Sequence, residues 1–543
     1  MMKAKKGVLM EKLHKKILLI YPYFIEERIH EGEIAAIPIG LYSVGTILKD
    51  NDYDVDILNW HNGKEKSVEI ENILKEKQPD WIGFSIMHAN RWGGIEIARI
   101  AKRLNKGVRI VFGGPGATFL WEHLLKNFPE IDYIVLGEGE YVFLDLVRTV
   151  NEGGKPESVS GIAFRKNGKM IKTRDAEPVR DLDELPIPAK YFQYQHVTST
   201  RGCVWQCAFC GSPKFWRNKV RLRSPEHFVQ ELAMLFDKGI KFFYFSDDTF
   251  TIKRDRIIEI CQRIMEKGLN ISWYAISRVD RVDDEVLYWM RRAGCIQISY
   301  GIESGSEKIR ERLCKKLKTD QIRRAFEMTT RYGILSRAYF IYGSPGETWD
   351  TIQESIDLMM EIGPLSVIFY ILDLFPGTAL YESFKEQKNL TDDLWLNRIE
   401  GVMYFETDQT MTEERILQFG RKLRTTFYEN VHRFAEDIEL VDQEDLYEQH
   451  ADFLSRLGMT FSHGDYSNIP EIREKEKTAK KLFERSLKYT PNHRAYLGLG
   501  ILNQKQGDYD ASIKILSEGL KFYPYSEHLN QCLDISYMNA GKR

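Results

Sequence analysis

A chain of 543 residues is too long for one ordinary hydrophobic core and implies two or three domains. Its 43% hydrophobic and 29% charged residues exclude a disordered protein, and a net charge of −2 withholds the basic footprint that nucleic-acid binding needs. The opening MMKAKKGVLMEKLHKK lacks the apolar core of a signal peptide and no later run reaches the roughly 18 apolar residues of a membrane span, so a cytoplasmic location without a transmembrane segment is expected.

From Lys15 to about Gly153, apolar runs (KKILLIYPY, DVDILNW, DWIGFSIM, RIVFGG, DYIVLGEGE) alternate with amphipathic ones (IGLYSVGTILKD, VEIENILKE, GIEIARIAKRL, FLWEHLLKNF, YVFLDLVRTV). This α/β pattern predicts a doubly wound five-stranded parallel sheet within residues 1–158, with any ligand beyond the carboxyl ends of its strands. Gly113, Gly114 and Gly116 follow the fourth strand, and Gly137 and Gly139 the fifth. No GxGxxG follows the first strand, so the dinucleotide fingerprint is absent. Such glycines either let backbone approach a bulky ligand or make tight turns.

Residues 159–195 read as a hairpin around Asn167-Gly168 followed by a proline-punctuated linker. Over 196–390 the runs HVTSTRGC, KFFYFSDDTF, ISWYAISRVD, CIQISYGIESG, SRAYFIYGSPG and LSVIFYILDLFPGT recur with helix-like segments between them. They predict a six-unit partial (β/α) barrel, whose active-site face is made by the strand ends. Residues 391–470 read as a helical extension. Residues 471–543 carry a weak repeat in which Phe483, Leu487 and Pro491 are answered by Leu516, Leu520 and Pro524, and Tyr496, Leu499 and Gly500 fit a tetratricopeptide pattern.

RGCVWQCAFCGSP places Cys203, Cys207 and Cys210 in one loop, among seven cysteines in the chain. A structural zinc site wants four ligands, and an electron-transfer iron–sulfur cluster normally wants four cysteines. A zinc site would need His196, Cys261, Cys295 or Cys314 as its fourth, and the cysteines among these read as buried small apolar residues.

CVWQCAFC, with Phe209 before its last cysteine, resembles the CxxxCxxC motif of the radical S-adenosylmethionine (SAM) superfamily, and YFSDDTF, GIESGS and IYGSPGET resemble that family's further strand-end motifs. The resemblance implies a [4Fe–4S] cluster on Cys203, Cys207 and Cys210, with one iron left for S-adenosyl-L-methionine. It places Gly301, Glu303 and Ser304 near the methionine moiety and Ile341, Gly343 and Pro345 near the adenosine. Phe209, Ser246, Asp247 and Arg278 are further cofactor candidates. Asp247 could equally cap the following helix, and Arg278 could pair with Asp280 or Asp283 at the surface.

IPIGLYSVGTIL, GGPGAT and VLGEGE resemble the recurring segments of the cobalamin-binding domain found in many members of this superfamily. The candidates are Pro38, Gly40, Ser85, His88, Gly113, Gly114, Glu138 and Gly139. Gly116 stands where the family often has histidine, and the DxHxxG motif is absent. His88 follows the third strand as a candidate for the lower face of cobalt, although a lone loop histidine is more often solvated or hydrogen-bonded.

The implied activity is cobalamin-dependent radical chemistry: a 5′-deoxyadenosyl radical formed by cleavage of S-adenosyl-L-methionine, used to C-methylate an unactivated carbon of a small-molecule, lipid or peptide substrate. Oxidation or cyclisation without methyl transfer is the alternative, and a non-catalytic interaction protein is a second. A methylthiolating enzyme fits less well, because residues 1–202 contain no cysteine. An external electron donor is implied, and the C-terminal repeats suggest a protein partner.

Overall fold

The computed structural model describes residues 15–25 and 37–542; the lysine-rich residues 1–14 lie outside them. The chain divides into two compact units. One gathers the described residues up to His196 with 210–223 and Leu374–Val402; the other holds Val197–Phe209, Ser224–Asp373 and the chain from Met403 onward.

In the first unit, β1 (Lys16–Tyr21), β2 (Asp54–Asn59), β3 (Trp81–Ser85), β4 (Arg109–Gly113) and β5 (Tyr133–Val135) form a parallel sheet in the order β2-β1-β3-β4-β5. The cores of β1, β3 and β4 are almost wholly apolar (KILLIY, WIGFS, RIVFG), as strands covered on both faces must be, whereas edge strand β2 (DVDILN) buries only Val55. The predicted hairpin is present as β6 (Ile162–Lys166) and β7 (Lys169–Lys172), but it is not a separate linker. It extends the sheet to seven strands, with β6 antiparallel to β5. The strand order reverses between β1 and β3, and in sheets of this type ligands bind beyond the carboxyl ends at such a switch point.

Segment Leu374–Val402, expected to be split between barrel and helical extension, packs within this first unit. Arg91, 1% exposed, donates to the carbonyls of His88 (2.8 Å), Glu400 (3.3 Å) and Ile399 (2.6 Å), and its guanidinium lies over the Trp395 ring.

In the second unit β8 (His196–Val197) lies at one edge, followed across the sheet by β9 (Phe242–Phe245), β10 (Ser272–Ser277), β11 (Cys295–Glu303), β12 (Leu335–Tyr342) and β13 (Ser366–Ile371). The pairs from β9 to β13 are parallel. Burial alternates along β12, where Ser336, Ala338, Phe340 and Tyr342 are buried while Arg337, Tyr339 and Ile341 are only partly so. Strand β10 repeats this, burying Trp273 and Ala275 and leaving Ile276 37% exposed. One face of the sheet is sealed and the other lines an accessible interior.

Beyond the barrel, helix Glu413–Glu436 covers Tyr342, Ile352 and Ile356 with Ile416, Phe419 and Leu423. Helices Tyr447–Ser462 and Lys475–Tyr489 pack so closely that a Cβ on Gly458 would meet the Phe483 ring at 2.7 Å. The chain therefore has no structural break near 470. Antiparallel helices His493–Lys505, Tyr509–Phe522 and Glu527–Asn539 follow. Among the described residues no helix is long and apolar enough to cross a membrane.

Candidate functional site

The loop bearing Cys203 and Cys207 continues from β8. None of its three cysteines is in a disulfide, and Cys203, Cys207, Phe209 and Cys210 are all partly buried. The loop is tied down at two points. Ala208 N–H donates to the carbonyl of Leu313 at 2.9 Å, and Trp205 receives the Arg278 guanidinium on its ring, 4.1 Å from the centroid. Arg278 is 4% exposed and also donates to Asp280 at 3.0 Å. The expected Asp280 pair thus exists, but as a buried clamp rather than a surface bridge.

Burial pushes the Cys203 and Cys207 thiols up, while the nearby cations of Arg278 and Lys315 pull them back down. Lys315 is buried beneath the loop and donates to Glu303 Oε1 at 2.7 Å. Glu303 ends β11 with φ +67°, and a Cβ on Gly301 would meet its Oε1 at 2.5 Å and Lys315 Nζ at 2.7 Å. Glycine at 301 therefore makes room for the ion pair. Lys315 was not singled out from sequence, because KKLK after a short helix looks like solvated charge.

Asp247 does not cap the helix that follows it, whose N-cap is Thr249. It is 1% exposed, and its Oδ1 accepts from Ser199 N–H (2.9 Å), Ser199 Oγ (3.1 Å) and Thr200 Oγ1 (2.6 Å), fixing the chain that leads into the cysteine loop. Burial pushes its carboxyl up. Ser246 is exposed beside it, with its N–H on Val197 O. Ser304 Oγ is occupied by Ser306 N–H and Ser355 Oγ, which makes it a structural link.

At the end of β12, Ile341 is partly buried and Gly343 has φ +77°. The Pro345 carbonyl accepts from Arg312 at 2.9 Å. Glu347 accepts the backbone N–H groups of Gly343 and Ser344, and its Oε1 has no protein partner. Burial pushes this carboxyl up to about 7 despite those two N–H groups. Only the carboxyl-bearing GSPGE turn signalled it in sequence.

In the first unit, Ser85 and Gly113 are register partners at the ends of β3 and β4, and Pro38 precedes the first turn of helix Ile39–Asp50. Among the described residues, a Cβ on Gly40 or Gly137 would meet nothing within 4 Å, on Gly113 nothing nearer than 3.8 Å, and on Gly139 only side chains at 3.4 Å or more. Gly114 and Gly116 differ. Their Cβ atoms would strike Ile86 O at 2.9 Å and His88 N at 2.5 Å, so these glycines serve the chain's own turn. Glu138 is paired with Arg221 and accepts from Val179 N–H at 3.0 Å. His88 is not a solvated loop residue: it is buried edge-on to Phe375 (4.8 Å) and Trp395 (5.5 Å), and burial lowers its imidazole to about 3. Of the alternative zinc ligands, Cys261 and Cys295 are buried and Cys314 is exposed, contrary to its expected burial.

The Radical SAM superfamily model matches residues 197–359, and the B12 binding domain model matches residues 33–147. An uncharacterised methyltransferase of Pyrococcus horikoshii is 31% identical over 405 residues, 72% of this chain and 87% of the relative. The chain belongs to the radical SAM superfamily. An anaerobic magnesium-protoporphyrin IX monomethyl ester cyclase of Rubrivivax gelatinosus is 28% identical over 412 residues, covering 72% of this chain and 73% of the cyclase. In fold, the chain is similar to the radical SAM methyltransferase TsrM of Kitasatospora setae, solved with cobalamin and a [4Fe–4S] cluster, with a TM-score of 0.65 at 16% identity over 88% of this chain and all of that one.

The cofactors of this radical SAM enzyme are a [4Fe–4S] cluster, S-adenosyl-L-methionine and cobalamin. The residues fit them. Among the described residues no three His, Cys, Asp or Glu side chains surround one metal ion. A cubane does not require that, since each thiolate binds its own iron. Two cations beneath the loop suit thiolate ligands, and the bare positions at Gly40 and Gly137 leave backbone open at the carboxyl edge of the first sheet.

A carboxyl raised by burial stabilises the fold fully below its unfolded value of 4.5, and that contribution is lost as pH rises through about 7. Glu347→Gln removes this dependence. Thermal unfolding followed from pH 4.5 to 8 should show wild type losing stability relative to the variant by about 3 kcal/mol, the equivalent of that shift.

Proposed function

We propose that this protein is a cobalamin-dependent radical SAM methyltransferase acting on an unactivated carbon. The observation that carries the reading is one chain holding both a clamped three-cysteine loop and a doubly wound sheet whose carboxyl edge is bare at Gly40 and Gly137. The methyltransferase relative supports it.

When bound, the cluster supplies the electron that cleaves S-adenosyl-L-methionine to a carbon radical, and cobalamin supplies the methyl-transfer chemistry. Cys203, Cys207 and Cys210 hold the cluster. Arg278 positions the loop through Trp205, and Lys315 offsets the negative charge gathered there. Gly301, Glu303, Ile341 and Pro345 line the strand ends toward S-adenosyl-L-methionine. Tyr339, Ile341 and Ile276, on the accessible face of the barrel, meet the substrate and shield a reactive intermediate from water. Pro38, Gly40, Ser85, Gly113 and Gly139 border the cobalamin site. Reduction comes from an external electron donor in the cytoplasm. The helices from Lys475 to Asn539 form tetratricopeptide-like hairpins for a protein partner.

Ring closure or oxidation without methyl transfer is the second reading, supported by the likeness to the cyclase. Anaerobic turnover of candidate substrates with methyl-labelled S-adenosyl-L-methionine separates the two. Label in the product supports methyl transfer; 5′-deoxyadenosine with an unlabelled, cyclised or oxidised product selects the alternative.

Cys207→Ala should abolish 5′-deoxyadenosine formation by the reduced, reconstituted protein, and undiminished formation would remove the cluster assignment. For cobalamin, Gly40→Phe is a cleaner probe than any change at Gly114, because a side chain at 40 meets no protein atom within 4 Å at its Cβ. Added hydroxocobalamin should co-elute with wild type in gel filtration and separate from Gly40→Phe, with the unfolding midpoint unchanged.

A further inference from the structure

A cavity of about 330 Å³ lies at the end of the barrel opposite the cysteine loop. Tyr274, Gln297 and Leu335, near the beginnings of β10, β11 and β12, line it from the barrel, whereas Arg278, Glu303 and Gly343 stand at the far ends of the same strands. Asp452 and Arg456 come from helix Tyr447–Ser462, and Arg494 from helix His493–Lys505.

Its charge is unbalanced. Arg291, Arg456 and Arg494 line the cavity, and Asp452 is the one acid among the lining residues. That carboxylate is shared by all three: Arg456 Nε donates to it at 2.8 Å, Arg494 Nη1 at 3.1 Å and Arg291 Nη2 at 3.5 Å. Among the lining residues arginines therefore outnumber carboxylates three to one, with Asp465 a further acid near Tyr274. Arg291 is only 2% exposed, and although its Nη1 donates to Cys295 O at 3.0 Å, its Nε has no partner among the described residues. An orphaned buried guanidinium N–H is costly, and a cavity of this size beside it is large enough for a small metabolite.

We propose that this cavity binds a small organic anion bearing a phosphate or carboxylate group, at a site separate from the radical chemistry. Guanidinium forks match the planar or tetrahedral oxygens of such groups. Hydroxyl and amide groups of Tyr274, Gln297 and Thr460 suit the polar frame of the ligand. Because the wall combines barrel strands with two C-terminal helices, an occupant ties the helical region to the barrel and stabilises both.

The test is calorimetric titration of the full-length, cofactor-loaded protein with inorganic phosphate, AMP and citrate at low ionic strength, where screening is weakest. Saturable binding of at least one, with a higher unfolding midpoint, is expected. Arg456 and Arg494 are 42% and 33% exposed, so Arg456→Gln and Arg494→Gln should fold, each weakening binding at least tenfold while ligand-free formation of 5′-deoxyadenosine stays unchanged. Preference for AMP over citrate identifies a phosphate ligand, and the reverse a carboxylate. Absence of saturable binding with all three anions, or undiminished binding by both variants, overturns the proposal.

Discussion

The buried ion pair between Lys315 and Glu303 is the constraint on which the cysteine loop depends. Two opposite charges out of water require close geometry and further partners, or their desolvation outweighs their attraction. The chain meets this by ending β11 in a left-handed residue, Glu303, and by omitting a side chain at Gly301. The turn that delivers Lys315 also presents the Leu313 carbonyl to Ala208 and the Lys315 carbonyl to Arg278. One short segment therefore places a cation under the thiols, anchors their loop and orients the arginine that stacks on Trp205. Substituting any member would disturb the others, which makes the cluster loop a rigid element rather than a free one.

The first unit meets a different demand. Its sheet must keep a carboxyl edge open for a large ligand while burying the apolar turn after β3. Arg91 resolves this by gathering the carbonyls of His88, Ile399 and Glu400 around a single guanidinium, with Trp395 stacked upon it. Segment Leu374–Val402 is held there both through these main-chain oxygens and through its own side chains, Phe375 and Trp395 against His88 and Arg398 on Glu96 at 2.7 Å.

Much of this was legible from sequence because it follows from periodicity. Alternating strand and helix runs yielded the five parallel strands of the first sheet, though not the antiparallel β6 and β7 that extend it, and the six barrel strands fall on the six apolar runs read from the chain. What stayed hidden depends on pairing across long sequence separations. Asp247 reads as a candidate ligand because it sits at a strand end, and the structure shows that one of its carboxylate oxygens, Oδ1, is already held by Ser199 and Thr200. Glu138 and Ser304 are engaged in the same way by their own chain. Lys315 and Glu347 gave no sign of burial, since charge beside a helix is usually solvated. Gly114 and Gly116 resembled ligand-facing glycines, whereas the atoms they approach belong to the turn after β3.

The strict alternation along β10 and β12 separates two selective demands that share a strand. Residues such as Ala338 and Phe340 answer to the helical layer, while Tyr339 and Ile341 answer only to what enters the barrel. Exchange at the second set changes cavity shape without opening a void in the sealed layer, so substrate range can drift by point mutation while the scaffold is conserved. Divergence between relatives of this architecture is accordingly expected to concentrate on every second residue of these strands.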